Sequence, residues 1–214
     1  MFVSEVTKPD VMKTYHLTPL VCTLLFFLVA NAQTAGELNN STELSSFSCD
    51  ATTSSFKIQG TSSLHDWEMT SQACKGTLSI RPGEKSLDFA EITVEVSVNS
   101  LKSGKRAMDR KCYDALKSKN HPNILFVLDR VKDLSPKGSS NYEAVFQGNL
   151  HIAGVRRPTD IAVRISQKQG KIQIEGSKSL KMSDFEVEPP TALMGTIKTG
   201  NDIDIIFNLN FNQL

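Results

Sequence analysis

From Phe47 to the C-terminus, apolar residues recur at every second position, and this period constrains the fold more than any other feature. Ile92, Val94, Val96 and Val98 share one parity, with Thr93, Glu95 and Ser97 between them. The final run repeats the pattern, with Ile203, Ile205, Phe207, Leu209 and Phe211 set against Asp202, Asp204, Asn208 and Asn210. Successive side chains of a strand point to opposite faces, so each run predicts a strand with one dry and one wet face.

Gly148–Val163 shows how such strands connect. Leu150 and Ile152 precede, and Ile161 and Val163 follow, the sequence Gly154-Val155-Arg156-Arg157-Pro158. Gly154 takes positive φ at little cost, and Pro158 lacks a ladder N–H, so the turn is expected near Gly154–Arg157.

The same reading places strands at Ser54–Gly60, Leu64–Ile80 (with a bend), Leu87–Asn99, Asn123–Lys132 and Tyr142–Ile152. Further strands are expected at Thr159–Gln167, Lys171–Met182 and Asp202–Phe211. Arg81-Pro82-Gly83 and Gln169-Gly170 read as turns, and Ser183–Thr199, with Pro189-Pro190, as an irregular excursion. One interruption, Lys105–Ser118, has the composition of a short amphipathic helix, and His121-Pro122 is expected to stop it. Eight antiparallel strands tend to curl, and closure removes their edges. The fold class is therefore all-β: an eight-stranded antiparallel barrel with one short connecting α-helix. Alternation alone leaves open whether its interior is packed or holds one slender ligand.

The N-terminal part has another character. Leu17–Ala30 is a 14-residue apolar run followed by Ala30-Asn31-Ala32, an A-x-A cleavage pattern. The run is short for a spanning helix, which needs roughly 20 residues, so residues 1–32 read as a signal peptide, with Met12 the expected start. Residues 33–46 are small and polar, as in a disordered spacer, and the domain is expected over 47–214. Export is the implied localisation, to the periplasm first and to the medium second. The formal charge is +1 with no basic run, which excludes nucleic acid as the main partner.

Three of the four cysteines survive cleavage: Cys49, Cys74 and Cys112. A chain turn near Thr61–Leu64 brings Cys49 and Cys74 opposite each other on paired strands. A disulfide between them is expected, with Cys112 left as a free thiol. Three reduced, packed cysteines are the competing reading.

Five segments together resemble the YceI-like family: Phe56–Met69 (FKIQGTSSLHDWEM), the SVNSLKSG run before the helix, His121–Phe126, Gly148–Pro158 and Met182–Pro190. In order and spacing they cover essentially the whole domain. The resemblance implies a lipocalin-like barrel that takes a long isoprenoid or similar amphipathic chain into its lumen, without catalysis. It departs at Met108–Tyr113, where many relatives carry Arg-Asp and then a paired-Phe segment, so the resemblance does not define the head group accepted.

By parity, Val94, Val96, Phe126, Phe146, Leu150, Val163, Ile174, Ile205 and Phe207 are expected to face the lumen and, with a ligand present, to touch its chain. Met108, Tyr113 and Leu116 are expected to cap one mouth. Trp67, the single tryptophan, either closes one end of the lumen or packs in the core with its N–H on a backbone carbonyl. His65, Asp66, His121 and His151 lack the spacing of a metal site or an acid/base pair, so no metal, cofactor or catalytic residue is expected. Arg156-Arg157 read as a solvated hairpin tip, with a head-group clamp as the sharper alternative. The basic helix face (Lys105, Arg106, Arg110, Lys111) is mostly a wet surface, and a transient membrane contact is the further partner it allows. Two rival classes are a transmembrane barrel, disfavoured by three tyrosines and one tryptophan, and a small lumenal hydrolase or isomerase.

Overall fold

A computed structural model describes residues 43–82 and 87–214. The signal segment, most of the spacer and Gly83 of the expected Arg81-Pro82-Gly83 turn lie outside the described residues.

The alternating runs form eleven strands: β1 (Ser45–Cys49), β2 (Ser55–Ser62), β3 (Trp67–Ser71), β4 (Cys74–Arg81), β5 (Asp88–Ser97), β6 (Asn123–Pro136), β7 (Asn141–Ile152), β8 (Val155–Lys168), β9 (Lys171–Lys181), β10 (Thr191–Ala192) and β11 (Ile197–Gln213). All the pairings between them are antiparallel. β1 and β2 lie end to end along the same edge of β11, and β4 and β3 lie beside them in turn. Each pair acts as one broken stave, so the ring closes with eight positions. The eight-stranded antiparallel barrel with one helix is the observed fold.

The breaks have local causes. Ser54 fills the first, its hydroxyl accepting from the Asn210 N–H at 2.9 Å while Asp50 N–H donates to Asn210 O at 2.7 Å. The expected Leu64–Ile80 strand is broken at Gln72-Ala73, where the Ala73 N–H turns to the Ser71 hydroxyl. Cys49 ends β1 and Cys74 begins β4. They form the expected disulfide, with Cα atoms 6.5 Å apart, which joins the two broken staves at their breaks. The first strand also begins at Ser45, two residues before the expected domain boundary.

The central hairpin differs from the expectation. Its turn is Ala153–Gly154, with φ of 51° and 89°, a tight two-residue connection of the primed kind. Arg156, Arg157 and Pro158 are therefore strand residues opposite His151, Leu150 and Asn149. Pro158 is tolerated because β8 pairs with β9 only from Val163 onward, which leaves that edge free of a ladder. Arg156 and Arg157 are exposed, as expected, but lie past the tip, and Arg157 Nε donates to Asp184 O at 2.7 Å, across the gap between β8 and the connection after β9.

The helix, α1, is shorter than expected, Arg106–Ala115. Lys117 at φ 54° turns the chain out of it before His121-Pro122 is reached, so the left-handed residue supplies the stop. Asp109 anchors its start, accepting from the Ser103 N–H (2.8 Å) and hydroxyl (2.6 Å). Those bonds hold its carboxyl below the usual range.

Parity decides what is buried. Ile92, Val94, Val96, Phe146, Ile161, Val163, Ile165, Ile172, Ile174, Leu209 and Phe211 all point inward. The outer wall carries polar cross-strand pairs such as Lys57–Glu68 (3.0 Å) and Arg164–Glu175 (3.4 Å). Among the described residues no helix is long and apolar enough to cross a membrane.

Candidate functional site: an apolar tunnel

The two ends of the barrel are built differently. At one end, where the 169–170 turn, the start of β1 and the end of β11 lie, Phe47, Leu78, Ile165, Ile172 and Phe211 fill the interior and are almost fully buried. At the other end the strands finish around a space roofed by α1 and the connection from β9 to β11. The two 3-10 turns of that connection are Met182–Phe185 and Leu193–Gly195.

That space is a cavity of about 340 Å³. Its apolar wall includes Trp67, Met108, Leu116, Ile152, Phe185 and Val187. Below it lies a narrower cavity of about 90 Å³, bounded by inward residues of the strands. Ile58, Ile124 and Ile205 line both. The two spaces therefore adjoin as one tunnel, wide at the mouth, narrow in the middle and stopped by the packed end. Close approaches shape the narrow part. A Cβ on Gly176 would stand 2.6 Å from the Phe207 ring, and one on Gly148 would meet the Phe126 ring, so these inward glycines make room for the two phenylalanines.

The residues expected in the lumen divide as follows. Val94, Val96, Phe126, Phe146, Leu150, Val163, Ile174 and Phe207 line the narrow part, and Ile205 lines both parts. Trp67 and Met108 line the mouth, with Leu116 beside them. Trp67 is half-buried and bounds the cavity, and its Nε1 donates to Thr61 O at 2.9 Å, which pins the indole above Gly60. Tyr113 is the exception. It lines neither space. Its hydroxyl donates to Leu101 O at 2.7 Å and accepts from Lys102 Nζ at 2.6 Å, so it fastens α1 to the 98–102 segment. Periodicity marks the face of a helix that turns inward but not which residue its anchor consumes.

Met182, the last residue of the expected Lys171–Met182 strand, lines the mouth, but alternation could not reach Phe185 and Val187, which line it from a connection with no period. Their only sequence signal was membership of Met182–Pro190, one of the resembling segments. Cys112 was expected only as a free thiol, and it too lines the mouth; burial pushes the thiol up to about 12, with the Asp109 charge adding to the effect. Lys105, Lys111 and Lys181 line the mouth and Lys178 the narrow part, and among the described residues no carboxylate lines either. His65 lines the mouth, His121 packs against the Gly154 turn and His151 stands opposite Arg156. No group of three metal-ligating side chains occurs among the described residues.

The chain is similar in structure to three solved proteins. Burkholderia cenocepacia BcnA matches with a TM-score of 0.60 at 18% identity, covering 76% of this chain and 98% of that one. A polyisoprenoid binding domain from Saccharophagus degradans, implicated in plant cell wall breakdown, matches with a TM-score of 0.62 at 15% identity, covering 78% and 98%. A Campylobacter jejuni YCEI protein matches with a TM-score of 0.51 at 19% identity, covering 66% and 82%. A comparison with curated proteins finds no match. At these identities the structural likeness speaks for the fold. The family rests on a family model, the YceI-like domain, which matches residues 40–211. The chain belongs to the YceI-like family.

Proposed function

We propose that this protein is an exported carrier that holds a long-chain isoprenoid-like or other amphipathic lipid in its barrel and performs no catalysis. The two adjoining apolar cavities, the wider at the mouth and the narrower stopped by the packed end, are the observation that carries the reading. The polyisoprenoid binding of the Saccharophagus degradans domain, which shares the fold, supports it. Desolvation supplies the driving force, about 0.8 kcal/mol per buried CH2 before ordering costs are subtracted. A slender chain fits the narrow part, and lysines at the mouth suit an anionic or hydrogen-bonding head. Residues 1–32 serve as the export signal and 33–46 as a spacer, and the Cys49–Cys74 disulfide fits an oxidising compartment such as the periplasm. The polar outer wall argues against the transmembrane-barrel alternative.

The test is organic extraction and mass spectrometry of the mature protein purified without detergent. A stoichiometric polyprenyl or quinone-like species is expected, together with its loss from a folded Phe207→Asp variant. A lipid-free protein that also refuses offered isoprenoids would overturn the reading.

A further inference from the structure

Three large apolar side chains stand out into solvent at the mouth. Leu64 is 65% exposed, Leu193 71%, and Met194 is wholly exposed. Leu64 tips the connection between β2 and β3, and Leu193-Met194 tip the one between β10 and β11. The two connections are tied together: the Ser63 N–H donates to Lys198 O at 2.9 Å, and the Ser63 hydroxyl accepts from the Lys198 N–H at 3.1 Å. They therefore form one rim. Leu193, Met194 and Gly195 take successive φ values of 48°, 54° and 88°. L side chains rarely adopt this left-handed backbone, so two apolar residues are held outward by a turn that neither prefers.

The charge inside the rim has one sign. Among the described residues, besides His65 and the neutral Cys112 thiol, the titratable side chains on the mouth lining are Lys105, Lys111 and Lys181. Asp66, Glu186 and Glu188 belong to flanking segments outside that lining.

We propose that this rim docks on an anionic lipid bilayer, with Leu64, Leu193 and Met194 entering the acyl boundary and the three lysines facing the headgroups. The proposal rests on the carrier reading. A lipid with a long apolar chain starts in a bilayer, and a rim seated there opens the tunnel directly onto it, so the chain need not cross water. The flanking carboxylates mean that apolar insertion carries more of the binding than charge does.

Flotation with phosphatidylglycerol–phosphatidylcholine vesicles tests the proposal on the wild-type protein and on a Leu193→Ser, Met194→Ser double variant. Neither substituted residue lines the tunnel. The wild type is expected to float with the anionic vesicles, and several-fold less with phosphatidylcholine alone or at about 0.5 M NaCl. The double variant is expected to float about tenfold less, while taking up a polyprenol from detergent micelles as the wild type does. Equal flotation of the two proteins, or none by the wild type, would overturn the dock. So would a wild-type dimer that the double variant dissolves, because the rim would then belong to a second copy. Flotation by the wild type with no micelle uptake by either protein supports the dock and counts against the carrier reading.

Discussion

The two ends of this barrel use the same alternating strands and reach opposite results. At the packed end, strand pairing runs through β1 and the end of β11 and the large inward residues meet one another: Leu78 and Phe211 are fully buried. At the mouth, β8 and β9 part above Val163 and Gly176, and the roof is made of segments without a period. There the inward side chains face a cavity. A repeated pattern therefore specifies the wall, while stability comes from one end and access from the other.

The largest expected effect separates the two ends directly. Leu78→Ala at the packed end should cost about 2–5 kcal/mol in chemical denaturation. Met108→Ala, half-buried on the mouth lining, should cost under about 1 kcal/mol and instead weaken lipid retention. Equal stability losses would break the comparison.

Replacing Cys49 and Cys74 by serine should cost roughly 3 kcal/mol for a cross-link spanning 25 residues. The lowered melting temperature should come with little change in lipid bound, since the bond lies away from both cavities.

A third expectation concerns Cys112 at the mouth. With its thiol pushed up to about 12, thiolate is scarce at pH 8, and alkylation should be orders of magnitude slower than for an ordinary cysteine. Its stability contribution is full below the ordinary value of 9.0 and declines as pH rises toward 12. Fast alkylation of the folded, lipid-free protein would show that α1 opens readily. Slower reaction with lipid bound would place the ligand against α1.

The smallest effect is the acid response of α1. The Asp109 carboxyl is lowered from 3.8 by its bonds to Ser103. Its contribution is therefore present above about pH 4 and is lost as pH falls through the folded value. Hydrogen exchange in α1 should quicken only below that point, and Asp109→Asn should abolish the dependence while the packed end stays protected.

Much of the wall was legible in the sequence, because a period of two fixes which residues share a face. Val94 and Val96, or Ile205 and Phe207, needed no further information. What escaped depended on chain reversals and ends. Pro158 looked like a turn residue because its missing N–H rules out a fully paired strand, and the sequence does not show that β8 lacks a neighbour there. Tyr113 lay on an apolar helix face, yet its hydroxyl is committed to Leu101. Phe185 and Val187 line the mouth from an aperiodic connection, where neither burial nor direction follows from spacing.

Ring closure has a consequence for how the molecule is made. Ser48 of β1 stands opposite Asn212, and the Leu214 N–H reaches Ser46 O, so β11, the last stave of the barrel in chain order, completes the ring that β1 begins. Until β11 has been made, β9 and β2 each lack the neighbour between them. The barrel is then an open sheet with two adhesive edges. Folding must be late and dominated by long-range pairing, which makes it slow and exposes it to aggregation. Joining Ser45 to Leu214 with a short linker and reopening the chain at the Gln169-Gly170 turn should leave the barrel intact while changing which stave arrives last.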